Sequence, residues 1–93
     1  MSSIRIEREH SLGLEAARGK AEAIAARLAS DFGVSSQWAG DDLELSHSAA
    51  NGRIQVEEDR VRIELKLGLM LAAMKAPIQA KIERSLEKAL GQA

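Results

Sequence analysis

The chain of 93 residues has no cysteine, no tyrosine, one proline, one phenylalanine and one tryptophan. Without cysteine there is no disulfide, thiolate nucleophile or zinc–thiolate site, and a reducing compartment suits the chain. Two aromatic residues, Phe32 and Trp38, are too few for a surface that stacks bases or sugars. An excess of one charge is also missing: 13 basic residues against 14 acidic ones leave a formal net charge of −1. A nucleic-acid binder would show a clustered basic excess, so no nucleic-acid partner is expected. The longest apolar run, Leu67 to Met74, falls far short of the roughly 20 residues that cross a bilayer. No transmembrane segment is expected, and the start MSSIRIEREH lacks the apolar stretch of a signal peptide. These absences fit a single small soluble domain over residues 1–93, with a modest core.

What is present is a change of hydrophobic period along the chain. Residues 3–8 alternate, with Ile4 and Ile6 on one side and Arg5 and Glu7 on the other, as in a half-buried strand. Over 11–33 the period becomes helical: Leu14, Ala17, Ala21, Ile24, Leu28 and Phe32 form one apolar stripe. Either Ser11 or Gly13 can cap the start, and Gly33 suits the left-handed residue that ends a helix. Alternation then returns. Val34, Ser36 and Trp38 share a face, Ala39-Gly40-Asp41-Asp42 turns, and Leu43 and Leu45 continue. A second turn is expected at Ala49-Ala50-Asn51-Gly52, because Asn-Gly is a strong hairpin signal. Ile54 and Val56 make a short strand, and Val61, Ile63, Leu65, Leu67 and Leu69 a long one.

The segment LKLGLMLAAMKAPI at 65–78 fits either a strand or a helix. Pro77 decides against a helix running from Gly68, because an interior proline costs about 3 kcal/mol. The spacing predicts a strand to about Met70, an irregular link over 71–76 and a helix from near Pro77, where proline suits the first position. A helical turn within 70–75 is the alternative. The final helix places Ile78, Ile82, Leu86 and Leu90 on one side. The order β-α-β-β-β-β-α predicts an α+β fold: an antiparallel sheet with two amphipathic helices packed on one face.

Reactive constellations are sparse. His10 and His47 are the only histidines and lack metal-ligand spacing. Asp41, Asp42 and Glu44, like Glu57, Glu58 and Asp59, read as turn chemistry without the pattern of a calcium loop. There is no glycine-rich phosphate loop and no nucleophile beside a base. No catalytic residue, cofactor or metal is expected, and the chain reads as a non-enzyme. Arg5, Arg60, Arg62 and Lys66 would form a basic patch if the first strand neighbours the long one, interrupted by Glu7 and Glu64.

Three features carry binding hypotheses. Leu69, Met70, Leu71 and Met74 are a candidate apolar contact if part of the link is exposed, and otherwise core. Behind the core stripe of the first helix lie Ala16, Gly19, Ala23, Ala26 and Ser30, all small. They are a candidate helix interface for a homo-oligomer, or simply good helix formers. Trp38 is a core-edge residue or a ligand wall.

Three stretches carry a family likeness: HSL at 10–12, W-x-G-D at 38–41, and K-L-G-L-x-L continuing to P-I-x-x-x-I-E-R over 66–84. In order and spacing the chain resembles, over nearly its whole length, the small bacterial "polyhydroxyalkanoic acid system" proteins. The resemblance implies a cytoplasmic protein working near polyhydroxyalkanoate storage granules, with the granule or its proteins as partner and no catalytic residue to carry over. The function expected from it is that of a non-enzymatic accessory protein acting through contacts. The alternative is a small carrier holding an acyl-type ligand between sheet and helix.

Overall fold

The computed structural model describes residues 2–91. Five strands and three helices follow in the order β1 (Ser2–Glu9), α1 (Leu14–Phe32), β2 (Ser35–Ala39), β3 (Asp42–His47), β4 (Ala50–Val56), β5 (Arg60–Leu67), α2 (Leu69–Ala72) and α3 (Lys75–Gly91). The strands form one antiparallel sheet, β1-β5-β4-β3-β2, so β1 and β2 are its two edges. The helices share one face. α1 lies over β2, β3 and β4, and α3 packs beside it over β1. This is the α+β layer that the periodicity predicts.

The alternation of each strand sorts its side chains between the two faces. Ile4 and Ile6 of β1, Leu43 and Leu45 of β3, Ile54 and Val56 of β4, and Val61, Ile63, Leu65 and Leu67 of β5 are buried under the helices. From above they meet Ala17, Ala21, Ile24, Ala25 and Leu28 of α1 and Ile78, Ile82 and Leu86 of α3. Each large side chain in this layer contributes roughly 1.5–3 kcal/mol of transfer free energy. Gly33 ends α1 with φ 71°, its N–H bonding the Ala29 carbonyl and the Val34 N–H the Leu28 carbonyl, as at a left-handed C-terminal glycine.

Two expectations need correction: the Asn51-Gly52 turn and the strand running to Met70. The start of α1, open to either Ser11 or Gly13, is capped by Gly13. Its φ of 86° and ψ of 166° lie in a region kept for glycine, and no side chain bonds the first turn. The Asn51-Gly52 pair is not a turn. β3 and β4 are joined by Ser48-Ala49, and Asn51 and Gly52 lie inside β4 opposite Ser46 and Leu45. Inward placement of Ile54 and Val56 fixes that register, and the His47 ring closes the turn by accepting the Ala49 N–H at 2.9 Å. Gly52 is needed for space, since a Cβ there would run into the carbonyl oxygen of Glu64 on β5.

The long strand stops at Leu67, short of Met70. Leu67 pairs with Ala50, where β4 begins, so a longer β5 would lack that neighbour. The chain instead turns into α2, with the N–H groups of Leu71 and Ala72 bonding the Gly68 carbonyl. The helical-turn alternative for this segment therefore holds, at Leu69–Ala72. α3 starts at Lys75, and Pro77 is its third residue. The first backbone bond of α3 runs from Ile78 N–H to the Met74 carbonyl at 3.0 Å. Pro77 precedes it in the first turn, where no amide has a helical partner, so its missing N–H costs nothing. Ala76 is helical despite preceding proline.

Placing Gly52 and Asn51 within a strand sets their tolerance to substitution. Gly52→Ala should lower stability by roughly 1–3 kcal/mol, while Asn51→Thr, β-branched on the wet face, should be neutral or mildly stabilising. Urea unfolding midpoints check both, and a marked loss for Asn51→Thr would point back to a turn.

Candidate contact surfaces

The apolar segment divides at Leu67. Beyond it, Leu69 is 93 % exposed, Met70 84 % and Met74 43 %. Leu71 instead turns inward and packs on the core. The candidate apolar contact is thus three exposed side chains on one anchor. α2 is held at its start, where the Gly68 N–H bonds the Ala49 carbonyl at 2.7 Å. The result is a fixed apolar corner at one end of the sheet.

The residues of the candidate helix interface, Ala16, Gly19, Ala23, Ala26 and Ser30, are all exposed on α1, with Ala26 bordering β2 and Ala23 bordering α3. Trp38 sits at the border of α1 and β2, partly buried against the core. Its indole N–H donates to Glu22 Oε2 at 2.8 Å, and the Arg18 guanidinium stacks 3.9 Å from the ring centre. Arg18 also bridges to Asp41 at 2.9 Å and donates to the Gly40 carbonyl. The tryptophan therefore pins the β2–β3 hairpin to α1. The layer between sheet and helices, where an acyl chain would lie, is filled by Ile24, Leu28, Ile54, Ile63, Ile82 and Leu86.

The outer face of the sheet is polar, and its charges alternate. The register places Gln37, Glu44, Arg53, Glu64 and Arg5 side by side across all five strands. β1 does neighbour β5, but no basic patch results. Glu7 Oε2 accepts from Arg62 at 2.9 and 3.2 Å and lies 3.3 Å from Arg60. The hydrogen bond from Arg62 is the main reason the Glu7 carboxyl is held below the usual carboxylate range, with the Arg60 and Arg62 charges adding to it against some desolvation. An open trough of about 430 Å³ crosses this face past Ser46, Asn51, Arg53, Glu64 and Lys66. It offers both signs of charge and no aromatic floor.

Both histidines serve the backbone. His10 accepts the Leu12 N–H on Nδ1 at 3.1 Å, which leaves Nε2 to donate to the Glu57 carbonyl at 3.2 Å. His47 closes the β3–β4 turn in the same way. Among the described residues no three histidine or carboxylate groups converge on a metal position. Sequence reasoning missed one feature: a groove of about 330 Å³ between α1 and β2, bordered by Ala26, Ala29, Ser36 and Trp38. Its walls come from two elements that only the fold brings together.

A family model described as "Putative polyhydroxyalkanoic acid system protein" matches residues 4–90. No curated protein matches. Among solved structures, the NMR structure of PA4090 from Pseudomonas aeruginosa aligns with a TM-score of 0.59 at 12 % identity, over 95 % of this chain and 83 % of that one. At that identity the likeness shows a shared fold.

The lowered Glu7 acidity makes a signed prediction. A folded pKa below the unfolded one contributes stability above the unfolded value and loses it as pH falls through the folded value. Glu7→Gln should therefore be less stable than the parent at neutral pH. That difference should vanish on acidification past the carboxylate range, as read by thermal melts across pH. A gap that stays constant with pH would remove the ion pair as its cause.

Proposed function

From the premise that this chain belongs to the polyhydroxyalkanoic acid system family, we propose that it is a non-enzymatic accessory protein of bacterial polyester storage, with Leu69, Met70 and Met74 as its contact with the granule. The observation that carries this reading is the apolar corner. Leu69 and Met70 are almost wholly in water although the chain has ample core positions, and α2 holds them outward. Burying each would contribute roughly 1.5–3 kcal/mol, enough together for reversible adsorption of the strength of a single acyl chain but not for permanent anchoring. Methionine suits an irregular apolar surface because its unbranched thioether adapts to what it meets. The charged outer face of the sheet would stay in water in such a complex. The expected location is the cytoplasm, at storage granules.

Co-sedimentation with isolated polyhydroxyalkanoate granules tests this. The parent should pellet with granules, and should keep doing so at high salt because the contact is apolar. A Met70→Glu, Met74→Glu variant with a native circular-dichroism spectrum should stay in the supernatant. If that folded variant pellets like the parent, the corner is not the contact.

A further inference from the structure

The two edges of the sheet are unlike. β1 carries Arg5, Glu7, Arg8 and Glu9, whereas β2, with the sequence SSQWA, has no charge and no proline. Soluble proteins blunt exposed edges with charge, proline or bulges because an unpaired edge recruits another strand. β2 has none of these. The two-residue loop Gly40-Asp41 closes the β2–β3 hairpin on the pair Ala39 and Asp42. In such a hairpin the closing pair is hydrogen-bonded and the pairs then alternate. Ser35, Gln37 and Ala39 therefore bond to β3, and the N–H and C=O groups of Ser36 and Trp38 point outward.

We propose that β2 is the docking edge for a second copy of this chain, the two strands pairing antiparallel about a twofold axis at Gln37. This register makes every contact self-complementary, as a twofold interface requires. Ser36 faces the partner's Trp38, and Trp38 faces the partner's Ser36, in two hydrogen-bonded pairs that use the outward backbone groups. On the helix side, the groove bordered by Ala26, Ala29, Ser36 and the copy's own Trp38 opens beside Ser36, so in this register the partner's Trp38, which faces Ser36, would meet a hollow on both halves. On the polar side, Gln37 faces the partner's Gln37, and two amides can bond each other without charge repulsion. The Trp38 ring is already fixed by Arg18 and Glu22, so little rotamer freedom is lost on pairing. One five-residue strand and one groove bury on the order of 1,000 Å² in total, at the small end of specific interfaces. Association is thus expected in the micromolar range, and the sheet becomes one continuous ten-stranded layer, twice the five strands of one copy.

Sedimentation equilibrium from micromolar to millimolar protein, with amide hydrogen exchange at both ends of that range, tests the pairing. The parent should pass from monomer to dimer, and the Ser36 and Trp38 amides should gain protection as it does. Gln37→Lys sets like charges across the axis and should weaken dimerisation at least about tenfold. Within one copy it places a lysine beside Glu44, so thermal stability should be kept. Ser36→Pro removes an outward donor and should also abolish the dimer. A parent that stays monomeric to millimolar concentration overturns the proposal. So does a Gln37→Lys protein that dimerises like the parent, or a dimer lost only when Met70 and Met74 are replaced.

Discussion

Strand β5 is paired on both sides from Val61 to Leu67, and the point where that pairing ends shapes the rest of the chain. It is bonded to β1 through the run from Ser2–Leu67 to Glu9–Arg60 and to β4 from Ala50–Leu67 to Val56–Val61. Its four inward residues, Val61, Ile63, Leu65 and Leu67, are all buried in the core beneath the helices. A backbone group that loses its ladder partner must find another or reach water, and β4 begins at Ala50. The chain can only leave the sheet after Leu67. It satisfies itself locally in α2 and then crosses to lay α3 over β1. The apolar corner is a consequence of that exit. Leu69 continues the alternation of β5 in sequence but has no sheet to lie on.

The same sheet order gives the molecule two ends of opposite character. β1 is a charged edge, and Arg62 and Arg60 of the neighbouring strand converge on its Glu7. Such exposed pairs contribute little stability, but alternating signs across the outer face leave no field of one sign and nothing apolar to adhere to. β2 is short and uncharged, and it is tied to α1 through one tryptophan. Two surfaces open to apolar or strand-to-strand contact are therefore the corner after β5 and the rim of β2.

Much of this was legible in the residues. The alternation of 60–67 and the 3.6-residue stripe of α1 gave the layers, because burial on one face leaves a period that no other arrangement explains. Gly33 was legible as a helix end. Asn51-Gly52 was misleading because a dipeptide preference is local, whereas strand register depends on which residues of β3 and β5 lie opposite, here Leu45 and Leu65. Pro77 was legible as the mark of the start of α3, because a proline costs little where an amide at its position would have no helical partner. For the candidate surfaces, composition marked Leu69, Met70 and Met74 as apolar, but only the end of strand pairing decides that they face water while Leu71 does not. The groove beside Ser36 had no sequence signal, since it is a space between elements rather than a property of either.

The alanines of α1 show why a pattern of small residues cannot be read without its surroundings. Ala17, Ala21 and Ala25 are buried, and their size lets the helix axis sit close to the sheet. Ala16 and Gly19 are exposed, and Ala23 is exposed at the border with α3. Ala26 and Ala29 differ from both sets because β2 lies beside them, and a larger residue at either place would fill the hollow that Ser36 leaves. One helix therefore uses the same residue type in three ways. At the β2 border its smallness creates a shape that something else can occupy.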